Sequence, residues 1–106
     1  MKEPVVAMTT TNQIREARSL AEMLVKGRLA ACVQIVPKIE SVYEWEGKVC
    51  DEQEYLLLIK TFEDRIQDIK KAIEEAHSYE VPEFLVVPVL YGADDYVKWM
   101  GEGTKS

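Results

Sequence analysis

The chain has 106 residues, of which 47% are hydrophobic and 30% charged, and its formal net charge is −6. That length predicts one domain, taken as 1–106, since domains commonly run to about 100–150 residues, and the composition is that of a soluble globular chain rather than a disordered one. The acidic balance opposes phosphate backbones, and the longest apolar run, FLVVPVLY at 84–91, falls far short of the roughly 18–20 residues a bilayer helix needs, so neither a nucleic-acid nor a membrane partner is expected.

VVAM (5–8) is a short apolar run and predicts a strand. Thr10 and Gln13 then fit a capping box, in which the hydroxyl accepts a backbone N–H and the amide reaches back. Ile14, Ala17, Leu20, Ala21, Leu24 and Val25 recur at helical spacing, and Gly27 stands where a left-handed C′ residue belongs. From Leu29 the period changes to two. Ala31, Val33 and Ile35 alternate with Cys32, Gln34 and Val36 until Pro37 interrupts, at a predicted bulge or edge position. Ser41, Tyr43 and Trp45 alternate with Val42, Glu44 and Glu46; Glu46-Gly47 makes a tight reversal, and Val49 onward returns toward YLLLIK (55–60). These arms form a hairpin longer than the usual strand of about five or six residues.

Thr61 is placed to cap a second helix, with Glu63 and Asp64 in the first turn, where negative charge suits the macrodipole. Phe62, Ile66, Ile69, Ile73 and Ala76 form its apolar stripe. His77 closes that helix, and Pro82 forces Val81 into an extended conformation. FLVVPVLY supplies the last strand. After Gly92 a short helix carries Tyr96, Val97, Trp99 and Met100 and ends at Gly101.

The fold class is therefore α+β, with the β-α-β-β-α-β order of a ferredoxin-like antiparallel sheet, a long hairpin and a short C-terminal helix. Both long helices belong on one face. A sheet whose other face meets water alternates apolar and polar residues, yet YLLLI, VVAM and FLVV are apolar on both sides. No spare segment can cover that second face, which predicts a homo-oligomer.

AACVQIVPKIESVYEWEGKV (30–49), LIKT (58–61), the H-x-Y-x-x-P-E of 77–83 and VPV…DYVKWM near the end together resemble the CutA divalent-cation-tolerance family. The resemblance covers nearly the whole chain in order. It implies a ferredoxin-like subunit of a tight homotrimer whose hairpins pair with neighbouring copies. It further implies tolerance of copper and other divalent cations through metal binding at intersubunit clefts, without an organic cofactor. The implied trimer is similar to the PII-type signalling proteins, which leaves a second reading: a regulatory or scaffold trimer binding a small anion or a protein partner.

His77, the single histidine, is either a cap at a helix C-terminus or, beside Glu80 and Glu83, a nitrogen ligand for copper or zinc. Cys32 is by default a small buried hydrophobe; in the family's AAC segment it becomes a candidate sulfur ligand for copper. Cys50 matches no motif, and with no CxxC pattern a reducing, cytoplasmic home is expected. Lys60 ends an apolar strand and either snorkels to the edge or meets a carboxylate such as Glu83. The resemblance places it in a cleft with Gln34, Tyr43 and Trp45, although the two aromatics equally suit packing between copies. The DEQE run (51–54) is expected to be a solvated face, and Tyr96, Trp99 and Met100 the docking stripe of the last helix.

Catalysis is not expected. Acylphosphatases share the element order but need an arginine in a phosphate-cradling first loop, and here no arginine precedes Arg15, inside the helix. An RNA-recognition module needs exposed aromatics on its middle strands in a basic field, against both the charge and the apolar strands here.

Overall fold

The computed structural model describes residues 2–104. Strand β1 spans Pro4–Thr11, helix α1 Ile14–Lys26, strand β2 Cys32–Trp45 and strand β3 Lys48–Phe62. A 3-10 turn, Glu63–Arg65, leads into helix α2, Ile66–Ala76; strand β4, Leu85–Pro88, and helix α3, Asp94–Gly103, complete the chain. The strands form one antiparallel sheet in the order β2-β3-β1-β4.

Strand parity decides what each face receives. Ala7, Leu57, Ile59, Val33 and Ile35 share one face, where they meet Ala17, Leu20 and Leu24 of α1 and Ile69 and Ile73 of α2. This is the core. Residues of the other parity form three rows across the opposite face: Val36, Leu56 and Thr10; Gln34, Leu58, Met8 and Leu85; Cys32, Lys60, Val6 and Val87. Leu85 remains 59% exposed, and Val36 and Val87 are also open to solvent. Helix α3 reaches only the end of this face, where Tyr96 meets Lys60. The guanidinium of Arg28 donates to the Glu102 carbonyl at 2.6 Å and that of Arg65 to the Thr104 carbonyl, tying down the helix's last turn.

The element order agrees with the sequence reading, but several element ends differ. The first strand runs on to Thr11, whose hydroxyl, rather than that of Thr10, accepts the N–H of Gln13 at 3.3 Å. Gly27 has a helical φ, and the left-handed residue after α1 is Arg28, at φ 59°. Thr61 does not cap α2: it stays within β3 and donates to the Leu29 carbonyl at 2.6 Å, and the helix starts through the 3-10 turn instead. The last strand keeps only four residues, and α3 continues past Gly101 to Gly103.

β2 and β3 extend well beyond β1 and β4, giving the molecule a long axis of 45 Å. Glu46 and Gly47, at φ 51° and 80°, turn the hairpin with two left-handed residues, the combination whose twist matches that of the flanking strands. Pro37 and Lys38 interrupt the ladder as predicted: Val36 faces Leu56, but the next pair is Ile39 with Glu54. β2 thus spends one extra residue there, with Lys38 at φ 58°. Beyond the bulge β2's parity is reversed. Odd-numbered Ile39, Ser41, Tyr43 and Trp45 now share a face with Glu54, Glu52, Cys50 and Lys48, continuous with the uncovered side of the sheet.

Candidate functional site

The segment after α2 crosses the end of β1 on its way to β4, and His77 fixes its course. The His77 backbone is extended (φ −79°, ψ 142°), which turns the imidazole inward until it is fully enclosed. Nε2 donates to the Thr10 carbonyl at 2.7 Å, and Nδ1 accepts the N–H of Tyr79 at 3.0 Å, an arrangement that places the proton on Nε2. Both nitrogens are occupied within the chain, so the ring as held offers no lone pair to an ion. Glu16 braces the same segment, accepting from the Ser78 N–H at 2.9 Å, the Ser78 hydroxyl at 3.0 Å and the Thr11 hydroxyl. Burial raises the Glu16 carboxyl, but those hydrogen bonds and nearby His77 outweigh it and leave it below its ordinary value.

Tyr79 follows, its ring 4.7 Å from that of His77. Its hydroxyl donates to Glu54 Oε2 at 2.7 Å. Burial first, then the hydrogen bond to Glu54 and its charge, push the phenol far above its usual range. Glu54 is only 5% exposed, although it belongs to the DEQE run expected to be solvated. The covering segment 78–83 explains the difference: Glu54 shares the strand face of Leu56 and Leu58, and that segment folds over its end of the face.

Between this segment and the hairpin lies a cleft of about 440 Å³. Glu52 and Glu54 form its floor with Thr10, and Glu80 and Glu83 its rim. Tyr43, Trp45 and Tyr79 supply aromatic walls. The bulge at Pro37–Lys38 is what turns Tyr43 and Trp45 toward these carboxylates, and Tyr43 donates to Glu52 Oε1 at 3.2 Å. Partial burial, then the charge of Glu54, raise the Glu83 carboxyl. Among the described residues no basic side chain lines the cleft, and no three His, Cys, Asp or Glu residues converge closely enough to hold a metal ion.

The other predicted site residues lie elsewhere. Lys60 does not meet Glu83; its ammonium donates to the Tyr96 hydroxyl at 3.4 Å and lies 5.4 Å from that ring's centre. Cys32 faces Lys60 directly across the ladder, with Gln34 one row on. Lys60 and Tyr43 are about 33 Å apart along the strands, since Tyr43 pairs with Cys50, ten residues down β3. Within one chain, therefore, Lys60 and Gln34 do not share a cleft with Tyr43 and Trp45. Cys32 lies level with Val6 but two strands across from β1, and is offset about 13 Å along the strands from the Thr10 that holds His77. Tyr79, Glu54, Glu52 and Glu16 complete the arrangement and were outside the predicted set.

A four-stranded antiparallel sheet, two long helices on one face, a second face covered only at its end, and an acidic cleft under a long arm define a small α+β protein. No helix among the described residues is long and apolar enough to cross a membrane. Residues 5–103 match the family described as CutA1 divalent ion tolerance protein. The divalent-cation tolerance protein CutA of Thermus thermophilus is 41% identical over 102 residues, covering 96% of this chain and 98% of that protein. Protein CutA, chloroplastic, of Arabidopsis thaliana is 42% identical over 104 residues, covering 97% of this chain but only 57% of the plant protein. The crystal structure of CutA1 from Oryza sativa superposes with a TM-score of 0.94 at 38% identity, covering 97% of this chain and 94% of that one. The chain belongs to the CutA1 family.

Proposed function

We propose that the protein acts as a homotrimeric, ferredoxin-like divalent-cation tolerance protein of the cytoplasm, binding copper or a similar ion without catalysing a reaction. The observation carrying this reading is the uncovered sheet face: Val6, Met8, Leu56 and Leu58 lie between the exposed Val36, Leu85 and Val87, and Tyr43 and Trp45 of the arm continue the same side. On the arm Trp45 is 59% exposed on this side, and Val49 is 78% exposed on the other. Apolar surface of this extent on a small domain calls for a partner, and a second and third copy supply the matching surface.

Among the described residues one chain does not assemble a metal site, so ion binding on this reading draws ligands from more than one copy. Glu80 and Glu83 on the cleft rim and the half-buried thiol of Cys32 are the donors proposed. His77 joins them only if the Tyr79 N–H leaves its Nδ1. Two free cysteines suit a reducing compartment.

Light scattering on the full chain, followed by calorimetric titration with Cu(II) and Zn(II), tests both halves. A mass three times that of the chain is expected, with ion affinity weakened by Cys32→Ser and by Glu80→Gln combined with Glu83→Gln. A folded single chain sinks the assembly, and equal affinity in all variants sinks the ligand assignment.

A further inference from the structure

We propose that Glu16 is a positioning residue for ion binding: from the first turn of α1 it fixes, through Ser78, where the rim carboxylates Glu80 and Glu83 stand. The inference rests on the ligand assignment of the preceding subsection and adds to it a residue outside the set of ligands.

The segment between α2 and β4 lacks the usual means of holding a backbone in place. Pairing with β1 begins only at Leu85, and among the described residues 78–83 make no backbone-to-backbone hydrogen bond. Their N–H groups still need partners, and the first two find side chains. Ser78 donates to Glu16 Oε1 at 2.9 Å, and Tyr79 to His77 Nδ1 at 3.0 Å. The second contact spans two residues of one segment, whereas the first ties the segment to another element.

The Glu16 side chain is only 14% exposed, and its other oxygen accepts the Ser78 hydroxyl at 3.0 Å and the hydroxyl of Thr11. An ionised carboxylate accepts on both oxygens, so three donors from β1 and the segment hold it in one orientation. Thr11 is fully buried on the core side of the sheet, and this anchor therefore stands away from the face that the copies share. Glu80 follows Ser78 by two residues, about 7 Å of extended chain, and Pro82, with its fixed φ, limits the freedom of what comes next. A displacement at Ser78 thus reaches the carboxylates. Groups that orient ligands without touching the ion typically set affinity by about tenfold or more.

Zinc(II) chloride is titrated calorimetrically into the full chain and its variants, with circular dichroism and particle mass confirming fold and assembly. Glu16→Gln, whose amide nitrogen cannot accept, is expected to weaken zinc binding about tenfold. Glu16→Asp keeps the charge but withdraws it by one methylene, and is expected to weaken binding comparably. Leu57→Ala, destabilised in the core, keeps wild-type affinity once folded. Ser78→Ala weakens binding severalfold, and combined with Glu16→Gln it binds no more weakly than Glu16→Gln by itself, because both break one connection. Ser78 is exposed, so its variant keeps the test decisive should Glu16→Gln unfold. Amide exchange at Ser78 quickens in Glu16→Gln while that at Leu57 does not. Wild-type affinity in Glu16→Gln, beside a loss in the combined Glu80→Gln and Glu83→Gln variant, overturns this inference and leaves the ligand assignment standing. Unchanged affinity in all of them overturns both. Full affinity in Glu16→Asp, additive effects of the Glu16 and Ser78 variants, or unchanged exchange at Ser78 also overturns it.

Discussion

Removing the hydroxyl of Tyr79 tests the central contact of the cleft. Tyr79→Phe keeps the ring beside His77 and deletes only the 2.7 Å donor to Glu54 Oε2. Because Glu54 is 5% exposed, water cannot readily replace that donor. A hydrogen bond to a charged, buried acceptor contributes roughly 1.5–3 kcal/mol, and the variant is expected to lose about that much. For a domain near this length each kcal/mol moves the melting temperature by about 4–8 °C, so a fall of roughly 6–24 °C is expected at fixed protein concentration. Adding Glu54→Gln removes the stranded charge. The double variant should then be less destabilised than the sum of the singles, with a coupling of roughly 0.5–3 kcal/mol measured by urea denaturation. Folded and unfolded states also differ in their hold on the phenol proton. Burial and Glu54 raise the folded-state value above the ordinary 10.0, so the native chain binds more protons at alkaline pH. Wild-type stability is therefore full below pH 10.0 and declines as pH rises beyond it, and Tyr79→Phe removes that part of the decline. A melting temperature indistinguishable from wild type, with additive single variants, would refute the reasoning.

Leu57→Ala empties a fully buried position between β1 and β2, and a loss of about 2–5 kcal/mol in chemical denaturation is expected. The bulge register is checked by Tyr43→Cys, which places a thiol directly opposite Cys50 on one face. Oxidation should close a cross-strand disulfide seen as a two-proton mass loss, whereas Val42→Cys, on the opposite face, should leave Cys50 free. Glu16 is held below its ordinary value of 4.5, so its contribution is present above that pH and fades as pH falls through the lowered value. Glu16→Gln should flatten this acid limb in urea midpoints taken across the range; an unchanged limb would remove Glu16 from the account.

The apolar periodicities of Ile14–Val25 and Ile66–Ala76 and the long two-residue alternation around Glu46-Gly47 made the element order legible in the sequence. Element ends were less so, because competing partners are close in energy. Thr61 has the chemistry of a cap but spends its hydroxyl on Leu29, a contact between segments 32 residues apart. Thr10 and Thr11 are equivalent in sequence, and only the pleat decides that Thr11 faces the helix. Most of the site was hidden for the same reason. Pro37 announced a bulge, yet whether β2 gains one residue or none depends on its pairing with β3, and the orientation of Tyr43 and Trp45 depends on that count. His77 was visible as a helix end, but the Thr10 carbonyl that accepts its Nε2–H hydrogen bond lies 67 residues away. Glu54 did carry a signal: it continues the face of Leu56 and Leu58, so its acidic neighbours alone were a poor guide to its exposure.

The extra residue at Lys38 has a consequence for how this arm can change in length. Because side chains alternate, deleting or inserting one position between Val36 and the Glu46-Gly47 tip would exchange the two surfaces of everything distal to it, whereas a change of two would preserve them. Natural and engineered length variants of the hairpin should therefore come in even steps, or in single steps matched on the opposing strand. An odd, unmatched step would present Val42 where Tyr43 now stands, leaving the carboxylates beneath without their aromatic neighbours.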